Sequence, residues 1–324
     1  MRLALQHLKV CFMSHFSVLV IGADHEAQLA PYHEFECTGE NDQYVQDVDV
    51  TQEMNEAIEK GESIEDALGY YGLEEKIVDD ESRVEKVGDD CEHKYGYAIV
   101  KDGKLIKAVN RTNPNRKWDW YQVGGRWSGF LKLKPGSNGV TGRKGLLGSC
   151  ANDADGYCDQ AKKGDIDFDA MRDEAGEKAA KKWDLFHKHL GHLLPYFVSW
   201  TAMRELHVSI DNAREQYHAQ PLIQRKNQLS KRESPLTEGE RDFFVWLDAE
   251  DYMTSREEHI QRARDRAIVT FAVVKDSKWF EKGEMGWWGA VSDEKDQNDW
   301  NRQFNELLDG LPDDTVLTVV DCHI

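Results

Sequence analysis

Proline is scarce, at 7 in 324 residues, and cysteine is no commoner, at 6. The cysteines (Cys11, Cys37, Cys91, Cys150, Cys158 and Cys322) are scattered, and no two stand in C-x-x-C spacing. Such spacing in a chain this long does not describe a disulfide scaffold, so a reduced intracellular protein is expected. Near the start the longest apolar run is 16–21, broken by Ser17 and too short to span a bilayer, and no membrane partner is expected. The first twelve residues carry Arg2, His7 and Lys9 and lack a clean apolar core with a small-residue cleavage site. They do not read as a signal peptide. Positive charge is in deficit: 41 Lys+Arg face 60 Asp+Glu, a net charge of −19. That argues against a generally basic nucleic-acid binder but leaves room for a local basic groove. What is present is 10 Trp, 11 Tyr and 12 Phe, which excludes a disordered acidic polypeptide. The length suffices for one large domain or two ordinary ones with a real core.

The charge is unevenly placed. Residues 34–92 hold 21 Asp/Glu against four Lys/Arg, so almost all of the net charge sits there. Between 104 and 150 the sign flips, with ten Lys/Arg against the single acid Asp119. The same stretch carries Trp118, Trp120, Tyr121, Trp127 and Phe130.

Residues 16–21 read as a strand, and short amphipathic helices are expected around 54–58 and 64–68, the second capped by Ser63. Residues 97–109 read as a hairpin turning at Asp102-Gly103. From 165 to 266 the pattern is helical, with helices expected over 168–193, 196–219 and 237–266 and a polar loop over 226–235. The last of these opens with capping-box spacing at Thr237 and Glu240. Strand character returns at 267–275, a helix follows at 299–310, and 315–324 is a final strand. The expected class is α+β: a mostly antiparallel sheet built from N- and C-terminal strands, with ferredoxin-like pieces and a large helical insertion. The sheet domain then spans 13–150 and 267–324, and the insertion 165–266. Tyr97-Ala-Ile-Val-Lys-Asp-Gly-Lys104 matches Phe271-Ala-Val-Val-Lys-Asp-Ser-Lys278 at five of eight positions. Each is followed by a Gly/Trp cluster, Gly124-Gly125-Arg126-Trp127 and Gly286-Trp287-Trp288-Gly289. An internal repeat placed pseudo-symmetrically in one sheet is one reading, and convergence of hairpin sequences is the other.

The strings Met13-Ser-His-Phe-Ser-Val-Leu-Val-Ile-Gly22, Trp118-Asp-Trp-Tyr-Gln-Val-Gly-Gly-Arg-Trp127, Gly164-Asp-Ile-Asp-Phe168 and the ending Asp321-Cys-His-Ile324 resemble a family of uncharacterised proteins from bacteriophages, prophages and some bacteria. The resemblance runs over most of the chain from Met13. It implies the cytoplasm of a bacterial host, makes Met13 the expected start and leaves 1–12 as an extension. It carries no cofactor and no catalytic residues.

Two candidate sites stand out. In the basic and aromatic stretch 111–134, Arg116, Lys117, Arg126, Lys132 and Lys134 could meet phosphates, while Trp118, Trp120, Tyr121 and Trp127 could stack on bases. Gly124 and Gly125 would let a backbone approach a ligand or relieve a tight turn, and Trp287 and Trp288 would join them if the clusters meet. Direct nucleic-acid binding is expected only through this stretch, and the spacing of a phosphate loop is missing. At the chain ends, antiparallel pairing of first and last strands would bring His15 to His323, with Asp321 on the same face and Cys322 on the other. The alternation of Cys322 away from His323 is why no metal ligand is assigned. His187, His189 and His192 read as a polar helix face. The calcium-like run 152–156 lacks its closing Glu, and no nucleophile motif is present. Two functions follow. One is an acidic binding protein that engages a basic host protein, such as a nucleic-acid-binding or defence protein, through 34–92. The other is an enzyme or binder of a nucleotide or phosphate-bearing small ligand, built on Arg126, the Gly/Trp clusters and the terminal histidines. No cofactor is assigned to either.

Overall fold

The computed structural model describes residues 15–34, 37, 42–85, 91–145, 152, 154–207, 209–285 and 291–324. Residues 1–12, Cys150, Asp153, Trp287 and Trp288 lie outside them. The architecture is α+β, in two compact units. The first holds the described residues up to Ile166 with Thr270–Lys295 and Pro312–Ile324, and the second holds Asp167–Val269 and Asp296–Leu311.

Strands and helices are numbered in chain order. The first unit is built on a seven-stranded sheet of β1 (His15–Ile21), β6 (Trp120–Gly125), β8 (Arg143–Lys144), β10 (Gln160–Lys162), β11 (Ala272–Lys275), β12 (Lys278–Glu281) and β15 (Val316–His323). Its order is β12-β11-β1-β15-β6-β8, with β10 also paired to β15. The first and last strands are antiparallel neighbours in mid-sheet, as their sequences suggest, while β1 and β11 run parallel. Centrality explains their composition. A strand buried on both faces is a near-continuous apolar run, and six of seven residues in β1 and seven of eight in β15 are buried. One face of the sheet packs Phe16, Val18, Val20, Ala272, Val274, Val320 and Cys322 against Trp118 and against Leu29 of α1 (His25–Leu29). The unit also holds two short ribbons, β7 (Leu131–Lys132) with β9 (Tyr157–Cys158) and β13 (Glu284–Met285) with β14 (Val291–Ser292).

The acid-rich segment has a small fold of its own. Strands β2 (Gln46–Asp49), β3 (Ile77–Val78), β4 (Gly96–Lys101) and β5 (Lys104–Thr112) form a sheet in the order β2-β5-β4-β3. Helices α2 (Thr51–Glu59) and α3 (Ile64–Gly69) pack on it through Val50, Met54, Ala67, Leu68 and Leu73, against Ala98, Leu105 and Ala108. Ser63 caps α3 by accepting from the Asp66 N–H. The hairpin β4–β5 turns at Asp102 and Gly103, both at positive φ, and β11–β12 turns likewise at Asp276 and Ser277. The two matched sequences are therefore alike as local turns, but they sit in different sheets. This corrects the reading that places both hairpins pseudo-symmetrically in one sheet. Of the five shared residues only the aspartate lies in the turn, and the alanine, valine and two lysines belong to the flanking strands.

The second unit is helical: α4 (Phe168–Leu190), α5 (Trp200–Leu206), α6 (Ile210–Ala219), α7 (Pro221–Leu229), α8 (Glu238–Val245), α9 (Arg256–Arg266) and α10 (Gln297–Asp309). Phe186, Leu190, Leu222, Ile223, Leu229, Phe244 and Tyr252 form its core. The long helices expected over 196–219 and 237–266 are each broken. Ser199, Ser209 and Ser255 accept hydrogen bonds from backbone N–H groups three residues on, so each starts a new helix. Pro221 opens α7, which runs into the stretch expected to be loop. The capping box of Thr237 and Glu240 is present. Helix α10 belongs with this unit, although its sequence position falls between sheet strands. Asn305 donates to the Asp265 carbonyl at 2.8 Å and accepts from Arg172 at 3.1 Å, tying α10 to α9 and α4.

Candidate functional site

His15, His323 and Trp120 stand in one row, because β15 pairs His323 with His15 on one side and with Trp120 on the other. Cross-strand partners put their side chains on the same face. The His15 and His323 ring centres are 5.1 Å apart at 67°, and Trp120 stacks on His323 at 5.4 Å and 18°. The convergence of His15 and His323 is thus observed.

Each imidazole is held by a carboxylate. His15 Nδ1 lies 2.8 Å from Asp321 Oδ1, and His323 Nδ1 lies 2.6 Å from Asp119 Oδ1. A carboxylate can only accept, so in both rings Nδ1 carries the hydrogen. When neutral, both rings then keep their lone pair on Nε2. The His15 and Asp321 side chains are buried, as is that of His323, while Asp119 is 40% exposed. The Nε2 of His323 has no hydrogen-bond partner.

Asp321 also accepts the Arg126 backbone N–H at 2.8 Å. Nearby, the fully buried Asp159 accepts from the Gly129 N–H at 2.6 Å, the Gly142 N–H at 2.7 Å and the Ser128 hydroxyl at 3.2 Å. These two carboxylates explain Gly124 and Gly125. A Cβ on Gly124 would lie 2.6 Å from Asp159 Oδ2, and one on Gly125 would collide with Asp321. Both glycines also have positive φ. The close approach they permit is therefore made by the protein's own carboxylates.

The aromatic stretch divides between the sheet faces. Trp118 and Tyr121 pack edge to face at 5.0 Å in the core, and Trp118 stacks on His33 at 4.5 Å. Burial, followed by Glu26, pushes the Tyr121 hydroxyl up to about 12. Trp120 is on the histidine side and Trp127 is half-buried. These residues do not form one stacking platform. Cys322 is wholly buried on the Trp118 side, and burial holds its thiol well above the usual range. In the helical unit, His187 bonds to the Trp183 carbonyl, His189 is lowered by burial, and His192 lies in the 3-10 turn after α4. Among the described residues, no group of three or more His, Cys, Asp and Glu side chains is placed to hold a metal ion.

Sequence reasoning missed Asp119 and Asp159. Asp119 carried a signal, as the one acid among ten bases between 104 and 150. Asp159 carried none, since its partners come from residues 17 to 31 positions away.

The acidic segment presents a second feature. Of its 17 described acids, 15 are exposed and the other two, Asp42 and Glu62, are half-exposed. Among the described acids of the segment, the ion pairs that reach the basic stretch are Arg111 with Asp47 at 2.7 Å and Arg116 with Glu34 at 3.4 Å. Lys107 pairs with Glu81. Glu59, Glu65, Glu74, Glu75 and Asp79 make no ion pair with a described residue.

Comparison with family models, with curated proteins and with solved structures gave no match. No helix among the described residues is long and apolar enough to cross a membrane.

Proposed function

We propose that the protein binds a basic protein partner through its acid-rich layer, and that this partner is a host nucleic-acid-binding or defence protein. The observation that carries the reading is the exposure of nearly every described acid in 34–92 on a layer with its own core. Carboxylates fixed on a small α/β frame offer a preorganised negative surface, which imitates a phosphate backbone and speeds encounter with a basic protein. The resemblance to phage and prophage proteins supports the choice of a host partner and of the bacterial cytoplasm. The test is capture of basic proteins from bacterial lysate, followed by titration of the captured partner against salt. Affinity should fall as salt rises, because exposed charges are screened over about 8 Å at physiological ionic strength. Neutralising Glu74, Glu75 and Asp79 together should weaken it. Affinity indifferent to both salt and these substitutions would sink the reading.

A second reading, an enzyme or small-ligand binder on the sheet unit, draws on the histidine row and its unpartnered Nε2. The loop backbone speaks against phosphate there. The N–H groups of Arg126, Gly129 and Gly142 are already taken by Asp321 and Asp159. Calorimetry with nucleotides and with uncharged polar ligands separates the two chemistries.

A further inference from the structure

We propose that the Nε2 atoms of His15 and His323 together hold one divalent transition-metal ion of borderline softness, zinc(II) or copper(II), with water in its remaining positions. The inference does not depend on the acidic layer or its partner.

The argument starts from the tautomers. Asp321 and Asp119 each take one Nδ1–H, at 2.8 and 2.6 Å. Metal-bound histidines almost always make this bond from their other ring nitrogen, since it orients the ring and raises its basicity. Here both members of an adjacent pair make it, and both lone pairs are left on Nε2. His323 Nε2 is buried and without a partner, which is costly for a polar atom unless something accepts its lone pair. The ring spacing is that of a shared ion when both Nε2 atoms turn to one point. An Nε2–metal bond of about 2.0–2.1 Å puts each ring centre about 3.2 Å from the ion, and a tetrahedral angle then separates the centres by about 5.2 Å. The observed separation is 5.1 Å. Trp120, stacked on one ring and edge-on to the other at 5.4 Å, restricts both. Two carboxylates behind the imidazoles supply the charge that a dication neutralises. Imidazole pairs suit zinc and copper over magnesium or calcium, which seek oxygen. With no third protein ligand among the described residues, the ion keeps open positions.

The test uses tag-free full-length protein stripped with a chelator. Zinc titrated by calorimetry should bind at one equivalent. Binding should be lost in His15→Gln and in His323→Gln, retained in His192→Gln, and weakened about 10–100-fold in Asp119→Asn. Copper(II) in the unsubstituted protein should show superhyperfine splitting from two nitrogens in its electron paramagnetic resonance spectrum. Absence of binding, binding that survives both histidine substitutions, or a copper spectrum without two nitrogens overturns the proposal. If the histidine variants fail to fold, the copper spectrum and the half-exposed Asp119→Asn variant still decide it.

Discussion

In the four-stranded sheet the carboxylates stand outside, with α2 and α3 closing an apolar core beneath them. Within the seven-stranded sheet Asp321, and in the bend before β10 Asp159, stand inside at 1% and 0% exposure, Asp321 held by one backbone N–H and His15 and Asp159 by two backbone N–H groups and a hydroxyl. The same side chain thus does two jobs. An exposed carboxylate remains hydrated, so its charge can act at a distance and contributes little to folding. A buried one gives up its hydration and must be matched by donors at bonding distance, so it specifies local structure. The glycines at 124 and 125, the turn through 129 and the tautomer of His15 all follow from the second use.

The sharpest way to break this contrast is to remove a buried carboxylate. Asp321→Ala strands the Arg126 N–H and the His15 Nδ1–H, and should destabilise by about 3–5 kcal/mol, as breaking a buried pair does. Chemical denaturation measures it, and a loss under 1 kcal/mol would mean that the network is not structural. Alkaline pH should come next. Burial raises the Cys158 thiol to about 11 from 9.0 and the Tyr121 hydroxyl to about 12 from 10.0. Groups whose folded pKa lies above the unfolded value stabilise fully below the unfolded value. That stability is lost as pH rises through the folded one. The thermal midpoint should therefore fall progressively above pH 9, and a flat profile to pH 11 would contradict the burial of these groups. The smallest effect belongs to the outer layer. Glu74→Gln with Glu75→Gln should change stability by no more than about 0.5 kcal/mol, as surface substitutions do. A larger change would show that the layer's charges are structural after all.

The strands at the two ends were legible because both are apolar runs with a histidine at the margin. Antiparallel pairing of such runs brings His15 beside His323 without further information. The acidic character of 34–92 was equally plain, and so was the capping box at Thr237. What escaped was long-range. The sheet to which each hairpin belongs depends on partners elsewhere in the chain, and matching turn residues are silent on it. The breaks in the helical stretch hang on single serines that could equally have lain on a polar helix face. The purpose of Gly124 and Gly125 was invisible because Asp159 and Asp321 lie 35 and 196 residues downstream of them.

The placement of β15 has a consequence for synthesis. One edge of β1 is covered by β15 alone, along all seven residues. During translation at about 5–20 residues per second, β1 must wait roughly 15–60 s for that partner to be made. Meanwhile Phe16 to Ile21 offers an apolar, open strand edge of the kind that recruits neighbouring chains. A nascent or truncated chain lacking Val316–His323 should therefore be a client for chaperones, and soluble yield should depend on the last strand far more than its eight residues suggest.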